Sequence, residues 1–228
     1  VYLIDTETTG FKDPQVIQLA WMRLRFDEGY IVEDGVFNRF YRPSKEIELG
    51  ALATHHISLQ DLVDCDSSDT AKLPTDAEYI IGHNVDFDWK ALGQPKVKRI
   101  CTEALARALW PNLDSHKLGA CLYHVNPEDA KAMLKNAHDA ETDCCACLSL
   151  LLSITDRLES RGTPALTAYQ LWMISEEARI PKIMSFGKHK GELISRVPPS
   201  YMNWYRRQEE PDPYLLRAFD LVSRGSRK

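Results

Sequence analysis

The stretch Val1 to Gly10, VYLIDTETTG, constrains this chain more than any other. Val1, Leu3 and the β-branched Ile4, running into threonines closed by a glycine, predict a β-strand. Side chains alternate along a strand, so Asp5 and Glu7 leave its carboxyl end on one face while Thr6 leaves on the other. Two carboxylates converging on one spot repel each other unless a cation meets them, and closely spaced hard oxygens suit a divalent metal. The alternative open at this point is a turn-capping Asp5 and a solvated Glu7.

The rest of the chain supplies a setting for that strand. With 228 residues, 44% of them hydrophobic, it can build one large domain or a domain plus a small module. Val16 to Phe26 and Gly35 to Tyr41 are β-rich, with charged turns expected at Asp27, Glu28, Gly29 and at Glu33, Asp34, Gly35. Glu48 to Val63 is helical in two pieces around Thr54, His55 and His56, and a polar loop follows to Thr75. A short strand at Glu78 to Ile81 runs into Gly82, His83 and Asn84, with Asn84 as helix N-cap and Asp86 in the first helical turn. Lys96 to Cys101 is the next strand, Thr102 to Trp110 a helix stopped by Pro111, Leu113 to His124 a short helix, and Ala140 to Leu158 a long one. Strands first, then alternation of helix and strand, predict a mixed α/β sheet.

Charge, Gly162 and Pro164 mark a linker, which divides the chain into residues 1–160 and a small α+β module at 165–228. That module is expected to hold a helix at Thr167 to Glu177, a hairpin at Lys182 to Val197 around Gly187 to Gly191, and two closing helices. Residues 1–155 carry 15 Lys+Arg against 24 Asp+Glu, while 156–228 carry 13 against 9. An acidic half that gathers metal ligands and a basic tail that meets phosphates is one reading of this asymmetry; unrelated solvated faces are the other.

No apolar run approaches the ~18 residues that span a bilayer, and the first residues have no basic n-region or cleavage pattern. Six scattered cysteines fit free thiols in a reducing compartment, so the expected location is cytoplasmic. Cys144, Cys145 and Cys147 lie in an apolar helical pattern with no second ligand pair, and read as small core residues rather than a zinc site. The first residue is not Met, so at least one residue is expected to precede Val1.

A third acidic segment, His138-Asp-Ala-Glu-Thr-Asp143, leads into the long helix. Five residues at about 100° each put His138 and Asp143 about 140° apart, so they cannot share a helix face. His138 must sit on the lead-in loop if both are to reach one centre, where an exposed imidazole suits a general base.

Together, Asp5-Thr-Glu7, Gly82-His-Asn-Val-Asp86-Phe and His138-x4-Asp143 resemble the DEDDh exonucleases, the three-to-five-prime proofreading nucleases on an RNase H-like fold. The resemblance covers about residues 1–155. No tyrosine replaces His138 three or four residues before Asp143, so the tyrosine branch of the superfamily fits less well. Cys101-Thr102, Trp110-Pro111, Phe186-Gly-Lys-His-Lys-Gly191, Val197-Pro-Pro-x-Tyr201 and Trp204 look like the exodeoxyribonuclease X group, in which a small C-terminal module follows the nuclease.

The resemblance implies an RNase H-like sheet, an antiparallel meander plus parallel strands, flanked by helices. It implies that Asp5, Glu7, Asp86 and Asp143 hold two Mg²⁺ or Mn²⁺ ions and that His138 takes the proton of the attacking water. The reaction would release nucleoside 5′-monophosphates from DNA 3′ ends, in repair or end trimming, on single strands or duplexes. An exoribonuclease on the same scaffold, as in RNase T-like enzymes, is the nearest rival, since RNA is a possible partner; a non-catalytic nucleic-acid module is more distant. Asp88, Asp139 and Glu141 are expected to be surface or supporting groups. Thr6, Thr8, Phe11, His55 and Ile57 are candidates for touching the terminal nucleotide, and Lys188 and Lys190 for binding backbone phosphate.

Overall fold

The computed structural model describes residues 1–27, 30–135, 137–163 and 166–225. It divides into two compact units, Val1–Ser175 and Glu176–Lys228. The first is built on a six-stranded sheet: β1 (Tyr2–Thr8), β2 (Val16–Asp27), β3 (Tyr30–Arg42), β4 (Asp66–Ser67), β5 (Tyr79–Gly82) and β6 (Lys98–Cys101), in the order β4-β3-β2-β1-β5-β6. β1, β2 and β3 form an antiparallel meander, while β5 and β6 run parallel to β1. This is the mixed RNase H-like sheet expected from the sequence.

The helices of this unit are α1 (Leu49–His55), α2 (Asp86–Ala91), α3 (Thr102–Leu109), α4 (Leu118–Val125), α5 (Pro127–Met133), α6 (Ala140–Glu159) and α7 (Ala168–Ala178), the last running across the boundary. β1 is central and covered on both faces, which is why Tyr2, Leu3 and Ile4 are all buried instead of alternating. α6 lays Ala140, Cys144, Cys147, Leu150, Leu151 and Ile154 into the core. Cys144 and Cys147 are core residues as expected, but Cys145 faces outward, and all six cysteines are free thiols.

Three local expectations in this unit need correction. Glu33, Asp34 and Gly35 are not a turn: Leu24 pairs with Glu33 and Met22 with Val36, so two residues, Asp34 and Gly35, oppose the single Arg23. That is a β-bulge inside β3, with Gly35 at φ +135° supplying the bend. Of the other expected turn, Asp27 ends β2 and residues 28 and 29 lie outside the described residues, as does Pro164 of the linker. Asn84 is not a helix cap but a left-handed turn residue at φ +63°; Val85, buried, occupies the N-cap position of α2. The helix expected at 113–124 is α4, which begins only at Leu118, and α5, opened by Pro127, was not expected.

Finally, the first unit extends beyond the linker at 160–165. Ser175 accepts the outer-edge N–H of Cys101 (2.8 Å), and the ammonium of Lys98 stands 4.8 Å from the rings of both Tyr79 and Trp172. α7 thereby covers the open edge of β6.

The second unit has its own core, in which Met184, Ile194, Val197, Met202, Tyr205, Leu215 and Phe219 are buried together. The expected hairpin is reduced to one antiparallel bridge, Ile183 with Leu193, and the closing helices are α8 (Pro199–Tyr205) and α9 (Pro213–Gly225). No helix among the described residues is long and apolar enough to cross a membrane.

Candidate active site

The site grows from the carboxyl end of β1, where pairing with β2 shifts register between Glu7 and Thr8. Burial lifts the Asp5 carboxyl well above the ordinary carboxylate range, and the charges of Asp88, Asp143, Glu7 and Asp139 add to the effect. Glu7 is pushed up to about 8, by burial first and then by Asp143, Asp88 and Asp139. A strand therefore delivers two acids that water has been prevented from stabilising.

The third acid is Asp88, not Asp86. Consecutive helical residues turn by about 100°, so Asp86 and Asp88 point about 200° apart. Asp88 lies one helical turn after the buried Val85 and shares its inward face. It is 4% exposed, accepts a hydrogen bond from the Thr6 hydroxyl (2.7 Å), and is pushed up to about 7 by burial. The carboxylate of Asp86 instead takes the guanidinium of Arg99 at 2.5 Å, which itself lies 4.0 Å over the ring of Trp89. The mutual spacing of Val85 and Asp88 is the signal in the sequence that identifies the inward acid. His83 shapes the turn before α2, its ring bridging the Thr102 hydroxyl (3.0 Å) and the carbonyl of His116 (2.8 Å).

The fourth acid comes from α6. Asp139 caps this helix, its Oδ1 accepting the Thr142 N–H (3.1 Å). His138 precedes it on the lead-in loop as expected, exposed and at φ +69°, and its backbone N–H donates to Asp143 Oδ2 (3.1 Å). Burial raises the Asp143 carboxyl, partly offset by that N–H. Ligand atoms of Glu7, His138 and Asp143 lie within 4.8 Å of one another.

A side chain not anticipated from the sequence anchors this corner. Gln18 on β2, paired with Glu7 and fully buried, donates to Asp139 Oδ2 (2.8 Å) and Asn38 Oδ1 (3.1 Å) and accepts the Ala140 N–H (3.2 Å). Asn38 donates in turn to Glu141 (2.9 Å). Asp139 and Glu141 are thus supporting groups, as expected.

The candidate nucleotide-contacting residues fall into two sets. Thr6 is committed to Asp88 and Thr8 to the carbonyl of Gly10 (3.1 Å). His55 is buried, its Nε2 3.2 Å from the carbonyl of Thr8 and its Nδ1 accepting the Ile57 N–H (3.0 Å). Burial lowers its pKa, which favours the neutral ring this bonding requires. These residues brace the end of β1. Phe11 is different: 86% exposed, it meets the ring of Phe87 at 5.7 Å. Lys188 and Lys190 belong to the second unit and are exposed.

Among the described residues no lysine or arginine pairs with Asp5, Glu7, Asp88 or Asp143. Partly buried carboxylates with raised pKa values and no protein cation are the donor set that a hard divalent ion fits.

Exodeoxyribonuclease 10 of Escherichia coli strain K12 is 28% identical to this chain over 209 residues, covering 89% of it and 88% of the relative. A solved structure described as exonuclease X in complex with 5′ overhanging duplex DNA matches with TM-score 0.56 and 27% identity, over 76% of this chain and 98% of that one. E. coli exonuclease I, solved as a zinc-bound complex with single-stranded DNA, shares the fold at TM-score 0.55 and 19% identity, over 79% of this chain and 43% of that one. Residues 177–223 match a family described as "Putative quorum-sensing-regulated virulence factor". In sequence and in fold the chain is thus similar, along most of its length, to exodeoxyribonuclease 10 and exonuclease X.

Proposed function

We propose that the chain is a three-to-five-prime exodeoxyribonuclease that releases nucleoside 5′-monophosphates from DNA 3′ ends. The observation that carries this reading is the convergence of Asp5, Glu7, Asp88 and Asp143, with His138 on the loop beside them. In this reading the four acids hold two divalent ions, Mg²⁺ or Mn²⁺, and Asp86 is not among the ligands. Such ions supply electrostatic offset for an anionic phosphodiester under attack and alignment of the attacking and leaving oxygens. The chain's own residues do the rest. Thr6 fixes the Asp88 carboxylate, the His138 backbone N–H orients Asp143, and the exposed imidazole of His138 takes the proton from the attacking water and passes it to solvent.

Digestion of 3′- and 5′-labelled DNA oligonucleotides beside RNA of the same sequence tests the proposal. Metal-dependent release of nucleoside 5′-monophosphates from the DNA 3′ end supports it; release from the 5′ end, or preference for RNA, overturns it.

Stability should respond to pH in a direction set by the acids. Glu7, ordinarily near 4.5, titrates at about 8 in the folded metal-free protein, and Asp88, ordinarily near 3.8, at about 7. At these two acids the folded state therefore binds more protons than the unfolded chain between those values, and their contribution to stability falls as pH rises from about 4 to about 8. Melting curves in EDTA should shift downward over that window, and Mn²⁺ should raise the midpoint more at pH 8 than at pH 6, because protons compete with the metal.

Gln18→Leu should lower kcat by about 10- to 100-fold, as for other groups that orient a metal site from behind, with little change in KM. If Gln18 acts by holding the His138 loop, much of that loss should disappear when the substitution is made in a His138→Ala background. Equal losses in both backgrounds would assign it a purely structural role.

A further inference from the structure

We propose that the second unit carries a binding surface for single-stranded DNA, in which Trp204 offers a stacking face and Lys188 and Lys190 meet the phosphates. The proposal rests on the exodeoxyribonuclease reading for the identity of the polymer.

α8 buries Met202 and Tyr205 in the core of its unit and packs Tyr201 against that core, which leaves Trp204 facing outward. The ring centroids of Tyr201 and Trp204 are 5.1 Å apart, and Trp204 is 53% exposed. The turn Gly187–Gly191 is fastened against this pair. A Cβ on Gly187 would lie 2.6 Å from the Tyr201 hydroxyl, and the His189 ring packs edge-on to Tyr201 at 4.7 Å. Gly187 at φ +69° and Gly191 at φ +86° close the turn at both ends, with Gly191 donating to the carbonyl of Met184 (2.8 Å). His189 points inward and bonds Glu192 (3.0 Å), so the lysines on either side of it point out. Two exposed lysines thus flank a turn that packs on Tyr201, the neighbour of the exposed Trp204.

The charge distribution selects an anionic partner. Residues 176–228 carry 11 Lys+Arg against 7 Asp+Glu, whereas residues 1–175 carry 17 against 26. Within the second unit Arg206 pairs with Asp220, Arg217 with Glu177 and Arg179 with Glu176. Lys188 and Lys190 form no ion pair among the described residues. Lysine is depleted at protein–protein interfaces, whereas two exposed lysines in the same unit as an exposed indole suit a strand of phosphates and unstacked bases. A duplex keeps its base faces covered, so the Trp204 ring favours unpaired DNA.

The test uses the full chain. Binding of a fluorescent dT20 oligonucleotide is followed by anisotropy in EDTA across a series of salt concentrations, and cleavage of the dinucleotide dTpdT is measured separately with Mn²⁺. Trp204→Ala should weaken dT20 binding by about tenfold or more. Lys188→Gln combined with Lys190→Gln should flatten the slope of log affinity against log salt by about 1.4, the value for two single-strand phosphates. Both variants should cleave dTpdT at the parent rate. If affinity and slope are unchanged in both, the surface is not a DNA site. If the parent releases no mononucleotide from dT20 with Mn²⁺ while the variants still lose dT20 affinity, the nuclease reading fails and this one stands.

Discussion

Asp88→Asn should reduce metal-dependent hydrolysis by more than about 100-fold, beyond the loss typical of residues that merely support a metal's ligands. Asp86→Asn should leave it within about threefold, because the group removed belongs to a half-exposed ion pair with Arg99, and such pairs contribute little. The two acids sit two residues apart on the same short helix, so they differ in direction and in little else. Asp88 faces Thr6 and the acids of β1; Asp86 faces β6. Single-turnover rates on a labelled oligonucleotide, with metal titrated to saturation, separate a lost ligand from a weakened one. The reverse ranking, with Asp86 the damaging position, would undo the assignment of the metal-binding set.

His138→Ala should lower kcat by on the order of 10²- to 10⁴-fold, the range for a positioned acid-base group, while leaving metal binding largely intact. The backbone at this position is left-handed, a conformation that alanine adopts reluctantly and glycine readily. His138→Gly is therefore the better control for loop shape. Equal loss in both variants assigns the effect to the imidazole; substantial recovery in the glycine variant assigns it to the loop and removes His138 as the base.

The same residues show what the sequence could and could not carry. β1 and its two acids were legible because alternation on a strand is a fixed geometry. The lead-in position of His138 was legible because 140° of helical rotation forbids the alternative. The choice between Asp86 and Asp88 demanded the phase of a six-residue helix, and assigning the cap to Asn84 hid that phase; once Val85 is known to point inward, Asp88 follows. The acidic run Glu33-Asp34-Gly35 reads as a turn by composition, yet pairing with β2 carries the strand through it as a bulge. Gln18 was invisible for another reason. A lone glutamine in an apolar strand is marked as special only by the distant Asp139, 121 residues away, that it bonds.

The helix that crosses from one unit to the other has a practical consequence for dissecting the molecule. A fragment cut at residue 163, where charge and glycine invite the cut, would strip β6 of its cover and leave the Cys101 amide and the Lys98 ammonium to water. An unprotected outer strand of that kind recruits other chains, so the shorter fragment should aggregate. One that ends after Ala178 keeps its flank sealed and is the piece to express.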